Sequence, residues 1–305
     1  MIVNKIHNHE QYTEYATDQV EVFKQRYLET LELEQINSNK DLTFTFKGYS
    51  IPANKEVDFL VDWQHSDGVN INWRERLVCP ETQLCNRLRA SYHLMIDHVE
   101  VKPEDCIYIT EQVTPFYRFL KQKFPDIIGS EYIESGVASG QKSEQGVRHE
   151  DLTDLSFKTN SIDHIFSFDV LEHVPNYNRA LKECLRVLKP NGSILMSFPF
   201  DCQAEKNLVR ASIKKDGSIE HHVEPEYHGD PTNDSGILSF YTFGWELLDE
   251  MRKMGFKDVY VASYWSHEFG YLGPEQVSII AKKSKLRGFI HMLKGMLTDA
   301  LNYFK

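Results

Sequence analysis

The chain has 305 residues, 41% hydrophobic and 12% aromatic, which is too apolar for a disordered segment and enough to bury a sizeable core. Its 34 Lys and Arg stand against 45 Asp and Glu, a net charge of −11, so a phosphate-neutralising surface is not expected and nucleic acid is excluded as a partner. At about 100–200 residues per domain the length allows two domains, or one enlarged α/β domain with an appendage. The opening MIVNKIHNHEQ lacks the basic and apolar regions of a signal peptide, the five cysteines are an odd number, and no stretch reaches the roughly 18 apolar residues of a spanning helix. A cytoplasmic protein that does not cross a membrane is the expectation.

In chain order, Val20, Phe23, Tyr27, Leu31 and Leu33 recur near helical spacing and predict an amphipathic surface helix over Asp18–Gln35. Leu42, Phe44 and Phe46 alternate with polar residues. A Gly48/Pro52/Asn54 cluster follows, and Val57–Val61 turns apolar again, which predicts a β-hairpin. The stretch Asn72–Asp97 begins as a loop and ends as a helix, so residues 1–100 read as an N-terminal helix-plus-β-hairpin accessory module. From about Glu104 short buried runs alternate with helices, the pattern of a parallel sheet with crossover helices. The predicted strands are Cys106–Thr110, Ile127–Tyr132, Val147–Glu150, His164–Phe168 and Ser193–Phe198, with helices at Pro115–Lys123 and Tyr177–Leu188. A polar stretch, Asp201–Gly236, leads to a helix at Phe243–Met254 and two strands, Val259–Trp265 and Val277–Lys282, read as an antiparallel hairpin closing the sheet edge. Residues 285–305 form an amphipathic helix suited to a membrane surface or a protein partner.

Four motifs stand in one order: Asp151 with Leu155 and Phe157, then Asp163, then FDVLEHV at Phe168–Val174, then LRVLKPNG at Leu185–Gly192. This series resembles the middle of the class I S-adenosylmethionine-dependent methyltransferases, in the methyltransferase type 11-like branch whose fourth strand ends in D-V-L-E-H. The resemblance covers about residues 104–282. It implies a Rossmann-like, doubly wound α/β sheet over 101–284 and S-adenosylmethionine as cofactor. An acidic residue ending the second strand can accept from both ribose hydroxyls, and Glu131 is placed for this. Asp151, soon after the third strand, is placed to accept from an adenine amino group, with Leu152 as an apolar wall. Phe168 and Asp169 would line the pocket near the methionine end, while Leu171, Glu172, His173 and Val174 divide between shaping the site and packing the next helix. That Glu131 and Asp151 are merely polar strand ends stays open.

The first strand departs from the family, which places an acidic residue and a glycine-rich turn there. Here the chain reads IYITEQVTPFYRFL from Ile107 to Leu120, without glycine. Either Glu111 substitutes by binding the amino group of the methionine moiety, with Thr110 and Thr114 adding hydroxyls, or the site is closed and the chain is an inert scaffold of a glycan-assembly complex.

Methyl transfer asks for an in-line approach and often a base for the acceptor's proton. His221, His222 and His228 share the segment HHVEPEYHGDPTNDSG with Glu224, Glu226, Asp230 and Asp234. EYHGDP followed by LSFYTFGWELLDEMRKMGF is similar to a methyltransferase subgroup associated with polysaccharide assembly, which implies a sugar or glycan precursor as acceptor; a lipid or small metabolite is the alternative. His228 is read as the general base, with Tyr227 and Asp230 positioning it or the acceptor. A structural histidine, or a divalent cation held by Glu226, His228 and Asp230, stays open, and no metal is assigned. Cys79 and Cys85 lack the C-x-x-C spacing of a zinc site. Arg74, Arg76, Arg87 and Arg89 form the densest basic group, suited either to an anionic ligand or to internal salt bridges.

Overall fold

The computed structural model describes residues 1–37, 39–133, 136–230 and 233–285, apart from the side chains of 230 and 233–235. The chain divides into two compact units, Met1–Val101 with Val261–Ser278, and Lys102–Tyr260 with the chain from Ile279 onward.

The first unit holds β1 (Val3–Ile6), α1 (His9–Asp18), α2 (Val20–Ile36), β2 (Phe44–Ser50), β3 (Lys55–Val61) and α3 (Asn86–Asp97). Neither β1 nor α1 was signalled by the sequence; Asn8 caps α1 by accepting from the Gln11 N–H at 2.8 Å. The hairpin pairs Phe44 with Val61 through Ser50 with Lys55. Its inward face, Phe46, Val57, Phe59 and Val61, packs with Ile71, Trp73, Leu77 and Leu272 into one apolar cluster. The buried Glu34 carboxylate on α2 accepts from the Trp73 indole at 2.7 Å and the Ile71 N–H at 3.0 Å, fastening the 71–73 loop to the helix.

The four arginines are internal braces. Arg74 and Arg87 both reach Glu75, at 2.7 and 2.6 Å, and Arg76 pairs with Asp62. Arg89 is completely buried: it lies 3.7 Å from the centre of the Phe59 ring and donates to the carbonyls of Leu77, Phe269 and Gly270. Cys79 and Cys85 are buried thiols: Cys85 donates to the Glu75 carboxylate at 3.7 Å, and Cys79 accepts from the Ser50 hydroxyl at 3.4 Å.

The second unit carries β4 (Ile107–Ile109), α4 (Pro115–Lys123), β5 (Ile128–Gly129), β6 (Ile162–Phe168), a 3₁₀ turn at Leu171–His173, α5 (Tyr177–Val187) and β7 (Leu188–Ser197). Thr114 accepts from the Tyr117 N–H and Pro115 occupies the first turn, so α4 starts where its sequence demands. Small ribbons follow: β8 (Leu208–Val209), β9 (Ala211–Ile213), β10 (Ile219–His221), β11 (Tyr227–Asp230), β12 (Asn233–Leu238) and β13 (Tyr241–Thr242). They pair as β9 with β10, β11 with β12, and β8 with β13. After α6 (Glu246–Met254), β14 (Phe256–Ser266) and β15 (Tyr271–Lys283) run through both units.

The seven main strands are bonded in the order β5-β4-β6-β7-β15-β14-β1. β5, β4, β6 and β7 are parallel to their neighbours and β15 is antiparallel to β7, so the sheet is mixed, doubly wound and Rossmann-like. The chain leaves β4 for β5 on one side and returns to β6 on the other. Two strand expectations change. The β14–β15 pair does not form the edge, because β1 adds antiparallel to β14 from Val3↔Tyr264 to Ile6↔Val261. The strand expected over Val147–Glu150 is reduced to two isolated bridges, Glu131↔His149 parallel and Lys142↔Arg148 antiparallel, and side chains take up neighbouring backbone groups. Gln112 accepts from the Arg148 N–H at 2.8 Å, and His149 Nδ1 accepts from the Ile133 N–H at 2.9 Å.

No helix among the described residues is long and apolar enough to cross a membrane. The amphipathic helix expected over 285–305 falls on residues 286–305, outside those described.

His93 on α3 is buried against the Tyr271 hydroxyl at 3.1 Å, and burial pushes its pKa down to about 4. The unfolded chain binds this proton below about pH 6.5, the folded chain only near pH 4, so stability falls as pH drops through that window. Thermal melts of wild type and His93→Gln should therefore converge between pH 7 and pH 4.5; a pH-independent gap would contradict this.

Candidate functional site

Because β4, β5 and β6 are parallel, their C-terminal ends lie at one sheet edge, where an open α/β sheet places its ligands. The segment Thr110–Thr114 leaves β4 here and contains no glycine. Glu131, just past β5, accepts at Oε1 from the Gln112 N–H at 2.6 Å and the Val113 N–H at 2.9 Å. Thr114 donates its hydroxyl to Glu111 Oε2. Gln112 in turn spans to the 146–148 segment, accepting from Arg148 N–H and donating to the Gly146 carbonyl at 3.4 Å.

The close approach that this edge needs comes from the neighbouring strand. A Cβ on Gly129 would stand 2.5 Å from the Glu111 carbonyl oxygen and 2.4 Å from the Tyr117 ring. This glycine lies outside the first loop, where the family pattern places its glycines, so the sequence does not signal it.

Asp151 accepts at Oδ1 from the Thr153 N–H at 2.7 Å and the Thr153 hydroxyl at 2.8 Å, a local turn that fixes its carboxylate; Leu152 beside it is buried. Phe168 is buried edge-on to Phe116, with ring centres 5.6 Å apart. Asp169 turns left-handed at φ 54°, its N–H donating to the Ser197 carbonyl at 2.7 Å and its Oδ1 accepting from the Ser197 hydroxyl at 3.1 Å. The structure thus brings Glu111 and Glu131 to one loop and sets Asp151, Phe168 and Asp169 on the loops that follow the neighbouring strands. Carboxylate acceptors of this kind fit the hydroxyls of a ribose and the amino group of an adenine. Glu131 and Asp151 are each fixed by two donors on a single oxygen, and a carboxylate offers about four acceptor directions.

A second constellation lies on the connections after β6 and β7. Glu172, in the 3₁₀ turn, has no exposed side-chain surface, and neither carboxylate oxygen receives a hydrogen bond. His228 on β11 places Nδ1 3.3 Å from Glu172 Oε1, while its Nε2 donates to Glu226 Oε1 at 2.9 Å. Glu226 is itself held by Arg210 at 2.8 Å. His173 donates from Nδ1 to the Leu238 carbonyl at 2.9 Å and meets the His228 ring edge-on, centres 4.9 Å apart.

The carboxylates of Glu172 and then Glu226 push the His228 pKa up to about 9. Tyr227 is 58% exposed and adjacent along the strand, so it faces away from His228; the Asp230 side chain lies outside the described residues. Sequence reading singled out His228 but not its pairing with Glu172 and His173. The signal was the acid–histidine step within D-V-L-E-H.

Comparison with known proteins gives a coherent reading. A family model described as a methyltransferase domain matches residues 115–196, from α4 to β7. A probable S-adenosylmethionine-dependent methyltransferase of Mycolicibacterium smegmatis is 35% identical over 75 residues, a match spanning 24% of this chain and 29% of that relative. Both matches are to methyltransferases, and the named relative depends on S-adenosylmethionine. Among solved structures, the S-adenosylmethionine-dependent methyltransferase of Mesorhizobium loti is 14% identical, covering 61% of this chain and 94% of its own, with a TM-score of 0.38. The 1,6-didemethyltoxoflavin-N1-methyltransferase of Burkholderia thailandensis is 15% identical over 65% of this chain and 78% of its own, again with a TM-score of 0.38. Likeness of that degree adds nothing to the topology already described.

Gly129→Ala should lower unfolding stability by about 1–3 kcal/mol, the usual cost of overpacking, because the new methyl meets backbone on one side. Denaturant titration measures it, and an unchanged midpoint would show that the edge is looser than drawn.

Proposed function

We propose that the protein is an S-adenosylmethionine-dependent methyltransferase whose acceptor is a hydroxyl group of a sugar or glycan precursor. The observation that carries this reading is the pair of braced carboxylates, Glu131 and Asp151, both on the connection from β5 to β6. Glu131 binds the ribose hydroxyls, Asp151 the adenine amino group, Leu152 and Phe168 the apolar faces, and Glu111 the ammonium of the methionine moiety; Asp169 lines the same pocket. S-adenosylmethionine, when bound, supplies an electrophilic methyl on a sulfonium centre. The methyltransferase-domain match over residues 115–196 supports the activity. For the acceptor, the support is the polar, histidine-rich character of 201–236, more suited to hydroxyls than to an apolar lipid.

A second reading, an inert fold serving as partner in a glycan-assembly complex, has one observation in its favour. The Glu131 carboxylate serves the chain's own loop through two backbone bonds.

Calorimetric titration with S-adenosylmethionine separates the two. Wild type should bind with micromolar affinity, about −8 kcal/mol, and Glu131→Ala should abolish binding. Asp151→Ala leaves the Glu131 brace intact and should weaken binding about tenfold, the worth of one charge-assisted hydrogen bond. No binding by folded wild type would sink the enzyme reading and leave the partner reading.

A further inference from the structure

We infer that Glu172, His173 and His228 form a binding site for one divalent transition-metal ion. Glu172 offers a carboxylate oxygen, and each histidine one ring nitrogen, all within 4.8 Å of one another. Glu172 Oε1 stands 3.3 Å from His228 Nδ1 and 3.7 Å from His173 Nε2. Two ligands bound at about 2.1 Å to the same ion lie about 3–3.5 Å apart, so small side-chain rotations complete the set.

Two features distinguish this cluster from a chance meeting of polar side chains. The Glu172 carboxylate is completely buried, and the groups that face it are the His228 and His173 rings at 3.3 and 3.7 Å, neither in hydrogen-bond geometry, so a cation placed among the three would supply the bonds it lacks. Both imidazoles are held from behind. His173 Nδ1 donates to the Leu238 carbonyl, and His228 Nε2 donates to Glu226, which Arg210 fixes in turn. Each outer N–H is thereby committed to an oxygen, and the inner nitrogen of each ring faces Glu172. This is the outer-shell pattern that orients metal-binding histidines.

The ligand set decides the ion class. Two imidazoles and one carboxylate suit Zn²⁺, Co²⁺ or Fe²⁺, whereas Mg²⁺ and Ca²⁺ take oxygen ligands. Three protein ligands leave further positions for water or a substrate oxygen. None of its three ligands is among the residues assigned to S-adenosylmethionine, although Glu172 and His173 share the connection after β6 with Asp169.

The test is titration of the full chain, stripped with chelator, with Co²⁺ followed by its visible d–d absorption, and with Zn²⁺ by calorimetry. One equivalent should bind. His173→Ala and His228→Ala should each weaken binding at least tenfold, and Glu226→Gln should weaken it about 10–100-fold, as loss of outer-shell partners does. His222→Ala, on an exposed histidine, serves as control and should bind like wild type. Absence of saturable binding by folded wild type would overturn the site and leave a Glu172–His228–Glu226 ion pair. Binding that survives both His173→Ala and His228→Ala would equally overturn it. S-adenosylmethionine affinity, measured on the same samples without metal, reports separately on the cofactor reading.

Discussion

A carboxylate taken wholly out of water has to be met by positive charge, and Glu172 imposes that demand on the whole face of the sheet beyond β6. Its main-chain carbonyl accepts from the Phe240 N–H at 2.8 Å and its side chain faces His228 at 3.3 Å, so one residue ties the turn after β6 to both ends of the β11–β12 region. The connection 201–242 has little apolar substance of its own; its core cluster is Ala211, Leu238 and Phe240. Polar anchoring substitutes for hydrophobic burial there. Arg210 has a similar place, joining Glu226 at 2.8 Å and the Glu224 carbonyl at 3.2 Å.

The opposite solution holds at the end of β4. There the loop Thr110–Thr114 lacks glycine, and its backbone donors converge on Glu131 instead. A charge-assisted pair of bonds from backbone to carboxylate fixes the loop more tightly than glycine would, because glycine supplies room without supplying order. Room comes instead from Gly129 on the adjacent strand. Two requirements that one glycine-rich turn would meet together are thus divided between two elements.

Local pattern made much of this legible. The hairpin followed from strict alternation, and α4 from a threonine–proline start, because both signals reside in neighbouring residues. The placement of Glu131 just past β5 followed from the succession of apolar runs, whereas the strand expected to lead into Asp151 does not form. What escaped depends on pairing across long separations. β1 has only four residues and exists because β14 accepts it. The ribbons β8 to β13 are mostly two or three residues long, below any periodicity that sequence can display. Glu172 and His228 meet only once the connection has folded back, so a spacing rule on His228, Glu226 and Asp230 could find part of the cluster but not its buried member.

The return of Val261–Ser278 to the first unit has a consequence for synthesis. Arg89 draws two of its three carbonyl acceptors from Phe269 and Gly270, and the apolar cluster of the hairpin includes Leu272. At about 5–20 residues per second the ribosome needs roughly ten to thirty seconds after Val101 to deliver that segment. Throughout this interval the nascent first unit carries a guanidinium short of acceptors and a hydrophobic surface short of its cover. The second unit has its parallel strands in hand by Ser197, but Ile279–Lys282, which pair with β7, leave the ribosome only after the first unit's last segment, so neither unit is complete until β15 has been made.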